Sequence, residues 1–390
     1  MRILVLNCGS SSLKFVLFDL PGGQEIASGS IERIGQSDAT ASFKNASGTN
    51  ESAIGGVDHG QAVAWVAETV DGEQPAISGI GHRIVHGGET YTGSVVIDGE
   101  VENDIDSLSN LAPLHNPAHL TGIRAAQAAF PDVPQVAVFD TAFHQTLPER
   151  AYRYPLPAEL YQDHRIRRYG FHGTSHSYVS ERAAELLDRP SFTGVTCHLG
   201  NGSSLAAIQD GRAIDTSMGL TPLGGIPMGT RSGDLDPAIV LHLQTQCGYD
   251  AQRVKEILNN ESGLLGLSGV SNDLREIETA SVGGDERAKL AIDVLTYQIA
   301  KSIGGYTSVL QDADGIVFTG GIGENSVSIR RRIVEQLKGI GVEIDDDRNQ
   351  SVSGGEAVIS PSGSGLQVLV IPTREELIIA RDTYRLIQDA

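Results

Sequence analysis

Apolar residues near the amino terminus fall into two short runs, Ile3 to Asn7 and Leu13 to Leu20, separated by the Gly/Ser-rich stretch Cys8 to Ser12. That pattern predicts strand, turn, strand, and Gln24 to Ser30, beyond Pro21-Gly22-Gly23, supplies a third strand. The same grammar returns later: Gly194 to Leu199, a Gly200 to Ser204 turn, Leu205 to Gln209, a second turn at Asp210-Gly211, and Arg212 to Thr216. Two β-β-β units opening two halves of similar size predict duplicated domains facing a cleft, each presenting a Gly/Ser turn. Two unrelated hairpins are the alternative that pattern leaves open.

Helical spacing appears between these units. Asn116-Pro117 carries an N-cap and N1 signature before an Ala-rich run to Phe130, and Asp236-Pro237 opens a second helix through Leu243 in the same way. Glu286 to Leu310 and Glu375 to Gln388 have helical apolar spacing, while Gln135 to Phe139 and Gly315 to Thr319 are strand-sized apolar runs. Residues 36–60, rich in Ser, Gly, Asn and Asp, read as a loop or a short exposed excursion rather than a domain linker, and the acidic Asp345-Asp346-Asp347 reads as a solvated loop. The fold class is therefore α/β.

At 390 residues the chain is long enough for two domains. No apolar run reaches the ~18 residues of a membrane span, and the residues before Cys8 are too few for a signal-peptide core. The three cysteines, Cys8, Cys197 and Cys247, are widely separated and form no Cys-x-x-Cys pair, which predicts a reducing, cytoplasmic setting. A net charge of −20 argues against nucleic-acid binding, so an anionic substrate would need local cations.

Three Gly-rich turns offer such chemistry. Asn7-Cys8-Gly9-Ser10-Ser11-Ser12-Leu13-Lys14 packs backbone N–H groups and hydroxyls beside a lysine, which suits phosphate, although a polar hairpin would look the same. His198-Leu199-Gly200-Asn201-Gly202-Ser203-Ser204 is its partner in the second half. Gly320-Gly321-Ile322-Gly323-Glu324-Asn325-Ser326 follows an apolar strand; its spacing fits the dinucleotide fingerprint poorly and a nucleoside or phosphate clamp better. Three His-x-x-x-His pairs, His82/His86, His115/His119 and His172/His176, lack the context of a zinc site, and His86, His119 and His176 read as packed or hydrogen-bonded histidines.

The motifs at 7–14 and 198–203 resemble the two signatures of the acetate kinase family. Further matches run along the chain: Gly81 to Gly88, Ala112 to Pro117, Phe139 to His144, Phe171 to His176, Met228 to Asp234 and Phe318 to Ser326. The resemblance implies two duplicated actin-like, ribonuclease H-like domains flanking an active-site cleft. The first would span 1–144, with the C-terminal helix 377–390 packing on it, and the second, nucleotide-binding, would span 145–376.

It also implies reversible, direct in-line transfer of the ATP γ-phosphoryl group to acetate, giving acetyl phosphate and ADP, with Mg²⁺ or Mn²⁺ as cofactor and a homodimeric assembly. Asn7 and Glu375 would place the metal, and Lys14 would approach the phosphates. His198, Leu199, Gly200, Asn201 and Gly202 would cradle them, while Asp273, Leu274, Arg275, Gly321, Ile322, Gly323, Glu324 and Asn325 would hold the nucleotide. Arg83 would bind the carboxylate, with Val85, Leu114 and Pro222 around its alkyl end. His172 and Arg231 would stabilise the transition state.

Asp140 would be the active-site carboxylate, but an ionised acceptor needs no base, so its expected task is to orient metal-bound water or an arginine. Two positions depart from the family pattern, Arg374 beside Glu375 and Gly224. Rival expectations are a propionate or butyrate kinase, an actin-like assembly or chaperone protein, and a nicotinamide-dependent oxidoreductase.

Overall fold

A computed structural model describes residues 1–70, 76–113, 115–352 and 354–388. The chain forms two compact units, Met1–Phe143 with the segment from Arg374 onward, and His144–Thr373.

The first unit is built on β1 (Arg2–Cys8), β2 (Ser12–Asp19), β3 (Gln24–Glu32), β4 (Thr40–Asn45), β5 (Gly48–Ala53), β6 (Ile77–Ile84), β7 (Val95–Val96) and β8 (Gln135–Phe139), in sheet order β5-β4-β3-β2-β1-β6-β8-β7. β1, β6 and β8 run parallel, and β1 to β3 form an antiparallel meander. β1 is apolar at successive positions because both its faces are covered. Leu4 and Leu6 pack with Val63, Val66 and Ala126 on one face, and Ile3 and Val5 with Leu377, Ile379 and Ala380 on the other. The helix Glu375–Gln388 lies close on β6 because Gly79 and Gly81 lack side chains. A Cβ at Gly81 would stand 2.6 Å from Ile379 Cγ2.

Two expectations are corrected here. Residues 36–60 are not a loop but an exposed excursion that includes β4 and β5, a hairpin extending the sheet beyond β3. Backbone pairing alone orders β5, whose six residues are all exposed, while Ala41 is buried and Phe43 stacks on Phe15 at 6.3 Å. Asn116 does not cap its helix, Asn116–Ala129, but is its first residue. Its side chain is fully buried and Nδ2 donates to the carbonyls of His86, at 3.1 Å, and Ile105, at 3.3 Å.

The second unit carries β9 (Gly194–Leu199), β10 (Ser203–Gln209), β11 (Arg212–Thr216), β12 (Gly315–Thr319), β13 (Ala357–Val358) and β14 (Gln367–Val370), in order β11-β10-β9-β12-β14-β13. β9, β12 and β14 are parallel, and β9 to β11 form the antiparallel meander. Each unit thus has a three-strand meander whose first strand is followed outward by two parallel strands, which is the duplication that the repeated pattern predicts. The core of this unit packs β9, β10 and β12 against the long helix Glu286–Val309, through Ala291, Leu295 and Ile299. Asp236 accepts from Ala238 N and caps Pro237–Thr245. Asp345, expected in a loop, caps Asp346–Ser351 by accepting from Arg348 N at 3.1 Å.

Candidate functional site

In the second unit β9 and β10 are joined by Gly200 to Gly202, with His198 opposite Ser204 and Leu199 opposite Ser203. Ser203 Oγ accepts from Gly200 N at 3.1 Å and donates to Gly200 O at 2.9 Å, which holds the turn tight. The absence of a side chain at Gly202 matters, because a Cβ there would lie 3.4 Å from Arg231 Nη2 and 3.5 Å from His172 Nε2. One guanidinium and one imidazole therefore converge on this turn.

His172 precedes the helix Gly173–Leu186 in the left-handed region, φ 57°, an uncommon conformation for a side chain of this size. Its ring stacks on His198 at 4.3 Å and its Nδ1 is 2.9 Å from Ser204 Oγ. Behind it, His176 Nε2 is 2.8 Å from the same hydroxyl and His176 Nδ1 is 2.7 Å from Thr196 Oγ1. Arg231 Nη1 donates to Pro222 O at 2.9 Å. Among the described residues no carboxylate pairs with Arg231, and burial pulls its pKa below the usual arginine range.

Beside this turn lies a cavity of about 500 Å³ lined by Gly200, Asn201, Asn272 to Arg275, Glu278, Gly321, Ile322, Asn325 and Ser326. Asn272 Nδ2 donates to Asn201 Oδ1 at 3.1 Å and Ser326 Oγ donates to Glu278 Oε1 at 3.1 Å, so its walls are cross-linked by polar side chains. Asp273 caps the helix Leu274–Val282 and binds Arg275 Nε at 3.0 Å. Hydrogen bonding to Arg275 holds the Asp273 carboxyl down at about 2. The volume suits a small molecule with an apolar ring against Leu274 and Ile322.

The first unit holds a different cluster. Arg83, on β6, grips Asp140 with both prongs, Nε to Oδ1 at 2.9 Å and Nη2 to Oδ2 at 2.7 Å, and stands 3.7 Å from Glu375 Oε2. Asp140 follows β8, with its side chain 2% exposed and its N–H donated to Ile84 O. Burial opposes the Arg83 charge, but Asp140 and Glu375 outweigh it and raise the pKa. Asn7 pairs in register with Lys14, whose side chain is exposed. Glu376 is pushed above the usual carboxylate range, by burial first and then by the charge of Glu375.

Of the residues singled out in the sequence, the cavity gathers Gly200, Asn201, Asp273, Leu274, Arg275, Gly321, Ile322 and Asn325. Gly323 and Glu324 do not line it: Gly323 packs against Phe318, and Glu324 Oε1 accepts from Gly320 N at 2.9 Å and Thr373 N at 3.0 Å, tying two loops together. His198 and Leu199 are buried in β9. Val85 is buried in the first unit, Pro222 is half-buried in the second, and Leu114 lies outside the described residues. Asn272 and Glu278 were missed, and Ser326 was read only as the end of the Gly-rich motif, with no role of its own. Glu278 falls one helical turn after Leu274, and Ser326 caps Val327–Gln336, so helix spacing and capping were signals that could have found them.

The model of the acetokinase family matches residues 2–381. An acetate kinase of Halothermothrix orenii is 49% identical over 100% of both chains, and one of Bacillus mycoides is 51% identical over 99% of this chain and 98% of its own. Among solved structures, a propionate kinase of Francisella tularensis has a TM-score of 0.95 at 43% identity over 99% of each chain. An acetate kinase of Porphyromonas gingivalis has a TM-score of 0.93 at 42% identity, again over 99% of each chain.

Proposed function

This chain belongs to the acetokinase family and transfers the γ-phosphoryl group of ATP to acetate, and we propose that it does so through fixed cations and hydrogen-bond donors rather than a proton-abstracting base. Acetate is already ionised at neutral pH. Its oxygen attacks the γ-phosphorus as the bond to the β-phosphate oxygen breaks, giving acetyl phosphate and ADP. The difficulty is repulsion between anions, and the residues answer it with charge. His172 Nε2 and Arg231 Nη2 stabilise the transferring phosphoryl group, and their convergence on the bare backbone of Gly202 is the observation that carries this reading.

The adenosine end of ATP occupies the cavity between Asp273–Arg275 and Gly321–Asn325, and the Gly200–Gly202 turn and Lys14 take the phosphates. Arg83 binds the acceptor carboxylate, with Val85 and Pro222 assigned to its methyl end. Asp140 orients Arg83; the bidentate geometry supports that role over one as a base.

Among the described residues no group of three His, Cys, Asp or Glu is arranged to hold a metal. The adjacent carboxylates Glu375 and Glu376, the second raised by burial first and then by the charge of the first, instead suit a cation that keeps waters and substrate oxygens in its shell. Asn7 and Glu375 would hold Mg²⁺, or Mn²⁺ in its place. When bound, the ion draws charge from the phosphate oxygens.

We assign the chain to the cytoplasm, on its free cysteines, and to a homodimer, on the helix Pro237–Thr245, which is apolar yet buries none of its nine residues and exposes Leu241 by 63%. Light scattering tests the dimer. The activity is tested by incubating the protein with ATP, Mg²⁺ and acetate, propionate or butyrate and trapping acyl phosphate with hydroxylamine. Acetyl hydroxamate is the expected product, and no adduct with any acid would overturn the reading.

A further inference from the structure

Three side chains behind His172 form a chain whose direction can be worked out from its end. Thr196 is fully buried, and among the described residues its hydroxyl finds one partner, His176 Nδ1 at 2.7 Å. A buried hydroxyl keeps its proton hydrogen-bonded, so Thr196 donates and His176 Nδ1 accepts. Burial above all, with His144 and His198 adding to it, holds the His176 pKa well below the usual histidine range, so its ring is neutral and its proton sits on Nε2. That N–H, 2.8 Å from Ser204 Oγ, makes Ser204 an acceptor there. The Ser204 hydroxyl proton is then left for His172 Nδ1, 2.9 Å away.

We infer that Thr196, His176 and Ser204 form a one-way hydrogen-bond chain that fixes His172 as the tautomer with its proton on Nε2. Nδ1 is occupied as an acceptor, so the N–H faces Gly202 and Arg231 Nη2, where it donates to an anionic oxygen without first taking up a proton. No proton moves along the chain; it works by orientation alone. The reversed chain would leave the Thr196 hydroxyl with no acceptor among the described residues and present a bare lone pair at Nε2, repelling a phosphoryl oxygen. Thr196, His176 and Ser204 are thus positioning residues, and the left-handed backbone of His172 serves the same end by setting the ring on Ser204.

The inference rests on the reading of His172 as a donor to the transferring phosphoryl group, and two measurements separate the two. Nitrogen-15 NMR of the full chain labelled at histidine, with His172 identified by the resonances lost in His172→Gln, is expected to show the proton at Nε2 and a hydrogen-bonded, unprotonated Nδ1. A proton at Nδ1 overturns the chain, whatever the turnover. Thr196→Val, which keeps shape and removes the hydroxyl, is expected to mix the tautomers and lower kcat about tenfold with little change in KM for ATP or acetate, and Thr196→Ser to restore it. Wild-type kcat with a wild-type spectrum in Thr196→Val overturns the proposal; should that variant not fold, the wild-type spectrum decides. Loss of turnover in His172→Gln is expected, and its retention overturns the premise while the spectrum still judges the chain.

Discussion

Arg83 and Arg231 are each assigned to an anion, yet the two units hold them in opposite ways. Arg83 is clasped by Asp140 and approached by Glu375, so its charge is secured and its orientation fixed. Arg231 leans on a carbonyl and a thioether, and burial works against its charge with no carboxylate to offset it. The first arrangement fixes geometry while muting the field, which suits a ground-state carboxylate. The second leaves the field unspent until phosphoryl charge arrives, which suits a transition state.

The sharpest break in this comparison is Arg231→Ala. Turnover should fall by about 10²–10³, the usual loss for one transition-state donor, while the unfolding midpoint stays level or rises because a burial-penalised cation has been removed. Steady-state kinetics beside urea unfolding check both, and a folded variant with near-normal turnover sinks the assignment. Arg83→Ala should behave in the reverse sense. It strands the buried Asp140 carboxylate and should cost about 3 kcal/mol of stability, most of it recovered in Arg83→Leu with Asp140→Leu. A single variant as stable as the parent, or a double variant with no recovery, would show that the pair is not held as described.

Acid should loosen the first unit more gently. Burial lowers the pKa of His82 to about 4, of His86 to about 4 and of His119 to about 3, all in the first unit. Below the unfolded value near 6.5 the unfolded chain takes up protons that the folded chain refuses, so stability is full above pH 6.5 and drains as pH falls toward 4. Each histidine should cost about 1 kcal/mol between pH 6.5 and 5.5. Hydrogen exchange should show the first unit opening more readily at the lower of these two pH values, and unchanged opening would contradict it.

Much of the scaffold was legible because its strands are apolar at consecutive positions and its turns are rich in Gly and Ser. Gln135–Phe139, Gly315–Thr319 and Glu375–Gln388 have the bounds their patterns predict. The hairpin of β4 and β5 was not, because its order comes from backbone pairing that leaves little apolar signature. Asn116 looked like a cap because capping residues and buried amide donors are the same residue type, and only tertiary placement tells them apart. The cavity residues Asp273–Arg275, Gly321, Ile322 and Asn325 were reachable from the resemblance, but the inward ties of Glu324 were not, since a carboxylate beside a Gly-rich turn reads equally as ligand contact or loop brace. The chain behind His172 was half visible: His176 follows it by one helical turn, but nothing in Thr196 or Ser204 announces a partner across a sheet.

The helix Glu375–Gln388 has a consequence for the order of biosynthesis. The second unit is contiguous in the chain, whereas the first is interrupted by the whole of it. As the polypeptide leaves the ribosome, Ile3, Val5, Phe18, Val136 and Val138 wait with one face of their sheet uncovered until the helix emerges to lie on them. The same late segment delivers Glu375 to Arg83, so the carboxylates around that guanidinium are brought together only at the end of synthesis.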